Sequence, residues 1–283
     1  MSVVVRPAEA DDIGAVCELL HDNMSAKIGK DRWRRLLDYP WRPADADRGR
    51  VAVDGNRVVG FLGLVYADRP LSGRTRRFCN ICAWYLLKEY RGRGIGRRIQ
   101  LDSVAGPRVT YTILTATEAT GRAFGASGFQ VLDSERLIVR RQSGGGEIEA
   151  LHDPAVIAPL LDARERRILE DHRPYNLRHF LFRCGEDASY AILQVKRKGA
   201  DIDYHELLYV GDGAFLAAHA QAIANTLLSS DRAVLAFDRR FVPESATFER
   251  EAMRLPRWFR SSDVSQGAID HLYSEIVLLD LKL

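Results

Sequence analysis

The stretch EYRGRGIGRR, residues 89–98, interleaves three glycines with four arginines in a chain of 283 residues. It follows the apolar run FCNICAWYLL (78–87) and precedes the segment IGRRIQLDSVA (95–105), whose apolar residues have helical spacing. The pattern predicts a strand, a glycine-rich turn and the start of a helix. Because the first backbone N–H groups of a helix lack intrahelical partners, this junction is suited to bind an anion.

The glycines and arginines have complementary roles in such a site. Gly92, Gly94 and Gly96 remove side chains that would keep a ligand away from the N–H groups, and the flanking arginines can add charge-assisted hydrogen bonds. A dinucleotide fingerprint does not fit, since the third glycine comes one residue early, and a P-loop would need Gly-Lys-Ser/Thr. The pattern therefore predicts a pyrophosphate cradle, with a tight turn and a solvated basic helix start as the alternative.

Composition limits the classes of partner. The chain has 41 basic and 38 acidic residues, a net charge of +3, so it lacks the strongly basic surface of a non-specific nucleic-acid binder. No apolar run approaches the length of a membrane span, and the short apolar run at the N-terminus does not resemble a signal sequence. We therefore expect a cytoplasmic protein that binds neither nucleic acid nor membrane.

Four cysteines are too few for a disulfide scaffold at this length. Cys79 and Cys82 form a C-x-x-C pair, but a zinc site needs a second pair or nearby histidines, and none follows. In a strand these two side chains lie on opposite faces. We expect two unrelated core residues and no metal site.

The chain alternates helical and strand patterns. An opening strand (2–6) precedes an amphipathic helix that buries Ile13, Val16, Cys17 and Leu20. Helical patterns predict helices around 30–39 and at 117–129, and β patterns predict strands at 109–116 and 130–141. Turn signals predict a hairpin turned at 54–56. Residues 67–77, which include Arg74, Arg76 and Arg77, are predicted to form a polar loop.

The segment Gln142–Glu147 has the composition of a flexible linker and divides the chain into 1–142 and 148–283. The pattern of the second half predicts a helix (153–170), a hairpin turned at 198–201, a helix (213–229) and strands at 233–238 and 274–283. This order echoes the first half and suggests a diverged duplication.

Residues 2–141 resemble the GNAT superfamily of N-acetyltransferases. Arg91-Gly-Arg-Gly-Ile-Gly96 is similar to its R/Q-x-x-G-x-G/A motif, VVRPAEADD (4–12) to its opening strand and helix, and FGASGF (124–129) to its closing signature. The resemblance implies an α/β fold with a mixed, mostly antiparallel sheet flanked by helices, here as two similar domains in tandem. It places the acetyltransferase site in 1–142, and the repeated order of elements leads us to expect a degenerate repeat without a CoA motif in 148–283.

The resemblance also implies acetyl-CoA as the cofactor. In the family, strands four and five separate and leave backbone groups of the fourth free for the pantetheine arm, which would here fall on Trp84, Tyr85 and Leu86, with the oxyanion donor near Leu86. The pyrophosphate would bind the segment from Arg91 to Arg97, whose members are Arg91, Gly92, Arg93, Gly94, Ile95, Gly96 and Arg97.

The groups that would move protons remain open. Asn80 and Cys82 share a face of the fourth strand and could hold a water that relays a proton, although strand packing is the alternative for both; Glu89 looks solvent-facing. The family's tyrosine near the thioester sulfur is replaced by Phe124, which has no proton to give. Trp33 and Trp41 could stack on an acceptor or pack in the core.

The leading hypothesis is an acyl-CoA-dependent N-acetyltransferase acting on an unidentified amine, which could be a small molecule or an amino sugar. A non-catalytic acyl-CoA binding or sensing protein is the second hypothesis, motivated by Phe124, and a structural or interaction protein the third. Acceptor, acyl length and oligomeric state stay open at this level.

Overall fold

A computed structural model of the chain describes residues 3–144, 146, 148–199 and 201–282. Ser2, Gly145, Glu147, Ala200 and Leu283, which fall in the predicted opening strand, linker, hairpin turn and closing strand, lie outside the described residues. The strands are β1 (Val4–Pro7), β2 (Gly49–Asp54), β3 (Arg57–Leu71), β4 (Arg74–Leu86), β5 (Val109–Ile113), β6 (Gln130–Arg140), β7 (Glu149–Leu151), β8 (Arg178–Cys184), β9 (Asp187–Lys198), β10 (Ile202–Val210), β11 (Ala233–Asp238) and β12 (Glu249–Arg260). The helices are α1 (Ile13–Asn23), α2 (Lys30–Arg34), α3 (Ile95–Ser103), α4 (Glu118–Gly125), α5 (Pro154–Ile157), α6 (Ala163–His172), α7 (Gly213–Leu227) and α8 (Glu275–Leu278).

The chain forms two compact units, each of which contains segments that are distant in sequence. The first unit consists of Met1–Leu132, Arg257–Val264 and Tyr273–Leu281. The second consists of Asp133–Pro256, Ser265–Leu272 and Lys282–Leu283. The end of β12 and all of α8 therefore belong to the first unit.

The sheet of the first unit follows the order β1-β2-β3-β4-β5, and the end of β12 pairs antiparallel with β5. Its neighbours are antiparallel except β4 and β5, which run parallel because α3 provides the crossover between them. The predicted apolar stripe of α1 is buried, with Val16 and Leu20 fully enclosed. The sheet thus has one parallel step, and the glycine-arginine stretch lies at that step.

The second unit repeats this plan. Its strands follow the order β6-β11-β10-β9-β8-β7, and among the described pairings of these strands only that of β10 and β11, which are joined through α7, is parallel. Helix α7 buries Phe215, Leu216 and Ile223 in an apolar core with residues of β9, β10 and β11. The predicted α/β fold with a mixed, mostly antiparallel sheet flanked by helices is confirmed.

Several predicted elements were wrong. The polar loop at 67–77 is the tip of a long hairpin, in which β3 and β4 turn at Ser72 and Gly73 and place Arg74, Arg76 and Arg77 within β4. The segment 153–170 contains two helices, α5 and α6. Charged residues mask the period of two in the first segment, and Pro159 interrupts the helical pattern in the second.

The C-terminal segment also differs from the prediction. The predicted strand at 274–283 begins with α8, whose first turn is capped by the Ser274 hydroxyl oxygen, which accepts a hydrogen bond from the Ile276 N–H. Strands β7, β8 and β12 were not predicted. Short apolar runs such as SEIVLL do not distinguish a strand from a buried helical turn by periodicity alone.

Candidate functional site

The N-terminus of α3 has no side-chain cap. Gly94 occupies the N-cap with φ of 75°, and no side chain there accepts a hydrogen bond from the helix. The first bond of the helix runs from the Arg98 N–H to the Gly94 carbonyl at 3.0 Å. The N–H groups of residues 95–97 are therefore left without intrahelical partners, as expected for the first turn.

The glycine loop in front of α3 adopts a backbone that glycine favours. Gly92 and Gly94 both have positive φ, 76° and 75°. A Cβ added at either position would meet no heavy atom within 4 Å, and one at Gly96 would lie 3.5 Å from the Trp84 ring. The loop therefore borders open space, and Gly92 and Gly94 are required by backbone conformation rather than by crowding.

A cleft of about 680 Å³ opens at this helix N-terminus. Its walls come from the end of β4, the glycine loop with α3, and α4. The lining residues are Trp84, Tyr85, Leu86, Arg91, Gly92, Gly94, Gly96, Arg97, Gln100, Ala119, Thr120, Ala123 and Ala126. Eight of the ten residues predicted to bind the cofactor line this cleft. The other two, Arg93 and Ile95, are not among the lining residues.

The arginines around the loop differ in position. Arg91 donates from Nε to the Leu86 carbonyl at 2.9 Å and lies over the Tyr85 ring. Arg97 is exposed, lines the cleft and has no hydrogen-bond or ion-pair partner among the described residues. Arg93 instead lies over the Tyr90 ring. Arg97 is thus the arginine best placed to add positive charge to the helix N-terminus.

The two parallel strands next to the cleft separate. Strand β4 pairs with β5 from Arg77 to Asn80, opposite Val109 to Thr112, and then continues to Leu86 without β5 beside it. Ala83 has φ of 48°, at an irregularity in the pairing of β4 with β3. The edge of β4 beyond Asn80 is therefore free of a β5 partner, and its last residues form one wall of the cleft.

The three residues predicted to act in catalysis lie at different depths. Leu86 lines the cleft, and its carbonyl accepts the bond from Arg91. Asn80 and Cys82 are buried, 3% and 6% exposed, at the other end of the free edge. Burial raises the pKa of the Cys82 thiol well above its ordinary value, so this thiol is not ionised at neutral pH. All three residues therefore lie on the part of β4 near the split, but they do not form a single cluster.

A residue that was not predicted from the sequence lies beside Asn80. Glu275, the first residue of α8, is buried, and its backbone N–H donates to the Asn80 side-chain oxygen at 3.1 Å. Burial raises the pKa of its carboxyl from 4.5 to about 7. The only sequence signal for this residue was an acid at the start of the apolar run EIVLL.

The other candidate residues of the first unit are buried or lie close to residues of opposite charge. Trp33 and Trp41 are buried, 2% and 8% exposed. Phe124 is fully buried, with its ring 5.6 Å from the Trp84 ring, and it does not line the cleft. Arg77 forms ion pairs with Asp45 and Asp68. Exposed Glu89 lies 3.6 Å from Arg57.

In the second unit the helix that corresponds to α3 is α7, and its N-terminus is capped by a side chain. The Asp212 carboxylate accepts hydrogen bonds from the Ala214 and Phe215 N–H groups at 2.7 and 3.1 Å. A Cβ at Gly213 would lie 2.2 Å from the Phe241 carbonyl oxygen, so this glycine allows close packing rather than ligand approach. The unpaired N–H groups that α3 offers are satisfied here by the protein itself.

The described residues contain neither a candidate metal-binding group of side chains nor a candidate membrane-spanning helix. No group of three or more histidine, cysteine or acidic side chains in residues 3–144, 146, 148–199 and 201–282 could hold a metal ion. No described helix has the length and apolar character needed to cross a bilayer.

Comparison with known proteins finds a family match within the N-terminal half. A model of the Acetyltransferase (GNAT) family matches residues 14–100. A GCN5-related N-acetyltransferase from Kribbella flavida is 15% identical with a TM-score of 0.60, over 92% of this chain and 71% of that one. One from Anabaena variabilis is 15% identical with a TM-score of 0.54, over 91% and 72%.

A third solved structure carries a substrate in its description. It is a GCN5-related glucosamine N-acetyltransferase region of a fungal multi-domain GH3 β-N-acetylglucosaminidase, 13% identical with a TM-score of 0.54, over 91% of this chain and 38% of that one. No curated protein matches the chain. At these identities the structures establish a shared fold, and the predicted resemblance to the GNAT superfamily is confirmed.

Proposed function

We propose that this chain, which carries a GNAT acetyltransferase domain over residues 14–100, is an N-acetyltransferase that transfers an acetyl group from acetyl-CoA to an amine. Acetyl-CoA is the cofactor of the GNAT family. The CoA site would lie within residues 1–142, and 148–283 would be a degenerate GNAT-like domain without a CoA motif. A cytoplasmic location stays a prediction from the sequence.

The observation that carries this proposal is the open N-terminus of α3. Helices α4, α6 and α7 are each capped by a side chain, from Thr117, Asp162 and Asp212. Helix α3 has Gly94 at that place and opens onto the cleft of about 680 Å³. Unsatisfied N–H groups and the helix dipole together favour an anion, and the cleft provides room for the rest of an extended ligand.

The residues present fit acetyl-CoA. The N–H groups of 95–97 and the Arg97 guanidinium would hold the pyrophosphate, since both offer donors to a doubly charged group. Backbone groups of Trp84, Tyr85 and Leu86, on the edge of β4 that β5 leaves free, would pair with the amides of the pantetheine arm. Bound there, acetyl-CoA supplies an activated acetyl thioester. The oxyanion donor near Leu86 stays a prediction.

The acceptor class is proposed from the description of one structural neighbour. A cleft in a GNAT fold is compatible with many amines, and the fungal relative acts on glucosamine according to its description. Small-molecule amines and amino sugars are therefore the acceptors to test first.

The first prediction concerns binding. Replacing Gly94 by Glu places a carboxylate at the helix N-terminus, so charge repulsion and occupation of the N–H groups should lower acetyl-CoA affinity at least about tenfold. Calorimetry measures the change. Gly73→Glu is the matched control, because Gly73 has φ of 74° and open space around its Cβ, as Gly94 does, but lies in the β3–β4 turn.

The control separates two causes of a loss. Both substitutions carry the same strain of about 1–2 kcal/mol from a non-glycine residue with positive φ. If Gly94→Glu binds acetyl-CoA as tightly as Gly73→Glu does, the pyrophosphate does not lie at α3 and the site assignment is wrong.

A second function is an acyl-CoA binding protein without catalysis. The observation that favours it is Phe124, which replaces the family's tyrosine and is enclosed between the rings of Trp84 and Phe129. Release of free CoA from acetyl-CoA in the presence of a panel of amines distinguishes the two functions. Binding without release across the panel favours the sensing function.

A further inference from the structure

The carboxyl of Glu275 is an unusual group for the interior of the first unit. Its side chain belongs to a residue that is 1% exposed, and it forms no ion pair within the described residues. Oε1 accepts a hydrogen bond from the Thr115 hydroxyl at 2.8 Å, whereas the buried Oε2 has no hydrogen-bond partner. A buried acid with a free oxygen is costly for stability, so a role outside packing is the simplest reason for it.

Glu275 lies where β4 and β5 part. The last paired residues of these strands are Asn80 and Thr112. The Glu275 N–H donates to the Asn80 side-chain oxygen, and Thr115, which holds the carboxyl, follows the end of β5. Glu275 thus contacts both β4 and the segment that follows β5, close to the last residues that these strands pair.

The free edge of β4 connects this point with the cleft. It runs from Ile81, next to the last paired residue, to Leu86, and its last three residues line the cleft. A ligand with its anionic end at α3 and its chain along this edge directs its other end toward Glu275. For acetyl-CoA that end is the acetyl thioester.

The carboxyl has a route for protons despite its burial. Thr115, whose hydroxyl contacts Oε1, is itself exposed to solvent. A hydroxyl can donate and accept at once, so a proton can pass between Glu275 and water through a single side chain. A general base needs such a route in order to be reset after each turnover.

We propose that Glu275 is the general base that takes a proton from the acceptor amine, an inference that rests on the proposed acetyltransferase function. The ammonium group of the acceptor gives one proton to the Glu275 carboxylate. Its nitrogen then bonds to the thioester carbonyl carbon as the C–S bond breaks, and the second proton of the nitrogen passes to the departing thiolate. Glu275 finally releases its proton to water through Thr115.

The protonation equilibrium of Glu275 suits this role. Burial raises the pKa of the carboxyl to about 7, while the hydrogen bond from the Thr115 hydroxyl and the positive charge of Arg257 on β12 act to lower it. The Cys82 thiol of β4 also interacts with this carboxyl, and it is neutral because burial raises its pKa. A base works best when its pKa is close to the working pH.

Asn80 becomes a positioning residue in this arrangement. Its side-chain nitrogen lies 3.3 Å from the Thr112 hydroxyl, and its oxygen accepts the N–H of Glu275. The amide thereby fixes the start of α8 against the split strands. This role differs from the water relay expected from the sequence, and Asn80 would act through Glu275 rather than on the substrate.

Infrared difference spectroscopy tests the location of Glu275 without an acceptor. The wild type should show a protonated carboxyl band that titrates near pH 7, and Glu275→Gln should remove it. Glu89→Gln is the control, because that acid is exposed and pairs with Arg57 outside the cleft. Addition of acetyl-CoA should shift the band, and CoA lacking the acetyl group should shift it less.

The outcomes separate the two proposals. If calorimetry shows binding of acetyl-CoA but the Glu275 band does not respond, the inference is overturned and the proposed function stands. If acetyl-CoA does not bind at all, the proposed function fails and the inference with it.

Kinetics provide the second test. With an accepted amine, Glu275→Gln should lower kcat at least about 10²-fold, the usual contribution of a general base, and leave the KM for acetyl-CoA within about twofold. The wild-type rate should fall below pH 7, and the variant should lose this acidic limb. A variant with wild-type kcat and an unchanged pH profile would overturn the role of Glu275.

Discussion

At the scale of the residue, Glu275 links stability to pH. Its carboxyl has a pKa of about 7 in the folded protein and 4.5 ordinarily. The folded state therefore binds more protons than the unfolded chain between these pH values, so this residue's contribution to the free energy of unfolding falls as pH rises from about 4.5 to about 7. The carboxyl thus destabilises the fold above neutral pH.

Glu275→Gln should remove this pH dependence. Relative to wild type, the variant should gain about 3 kcal/mol in the free energy of unfolding between pH 4 and pH 8, because each unit of pKa shift corresponds to about 1.4 kcal/mol. Urea unfolding at the two pH values measures the gain, with Glu89→Gln as the exposed control. An equal difference from wild type at both pH values would show that Glu275 has an ordinary pKa.

Phe124 offers a second test at this scale. Phe124→Tyr should leave acetyl-CoA affinity nearly unchanged and raise kcat by no more than about 10²-fold, because a thiol of pKa about 8.5 is already a good leaving group. The variant should lose about 1–3 kcal/mol of stability, since the new hydroxyl enters a fully buried site. Phe129→Tyr, in the adjoining ring at 5.2 Å, is the matched control for kcat.

The two variants also distinguish the functions. CoA release with the amine panel measures turnover. If Phe124→Tyr turns over and the native protein does not, the native protein is an acyl-CoA sensing protein rather than an enzyme. Equal kcat gains in Phe124→Tyr and Phe129→Tyr would show that the hydroxyl does not act near the sulfur.

At the scale of the element, α3 and α7 occupy equivalent places between parallel strands but begin differently. Asp212 caps α7 through two backbone N–H groups, whereas α3 begins at Gly94 without a cap. Asp212→Ala should lower the free energy of unfolding by about 1 kcal/mol, the usual value of an N-cap. Thermal unfolding measures the loss.

The same variant tests whether the Asp212 cap alone prevents acetyl-CoA from binding at the N-terminus of α7. Acetyl-CoA binding to Asp212→Ala should remain as in the wild type, because Phe241 and Glu165 leave no room beside Gly213 and Gly211. A new binding event in the variant would show that the second unit retains a CoA site which Asp212 blocks.

At the scale of the whole molecule, the chain should bind one acetyl-CoA. The first unit has an open helix N-terminus on a cleft, and the equivalent position of the second unit is filled by Asp212. Titration calorimetry should therefore give one site per chain, and Gly94→Glu should weaken that site without revealing another. Two sites per chain would contradict the assignment of 148–283 as a domain without a CoA motif.

The sequence alone determined the local features of this protein. The spacing of Gly92, Gly94 and Gly96 after an apolar run predicted a strand, an open turn and a helix, because positive φ and helix periodicity are local properties. Sequence reasoning reached the mixed, mostly antiparallel sheet through the resemblance of these motifs to the GNAT superfamily. It could not identify strands β8 and β12, or separate the arginine-rich hairpin from a loop, because charged side chains on a half-exposed strand hide its period.

Only the tertiary structure decided which distant segments share a unit. Glu275 follows Asn80 by 195 residues, and its N–H still donates to the Asn80 side chain. The end of β12 likewise pairs with β5 in the first unit. Such contacts depend on burial and strand pairing between remote segments, which leave no spacing pattern in either segment. The raised pKa of Glu275 has the same origin, because it comes from desolvation by neighbours that the local sequence does not name.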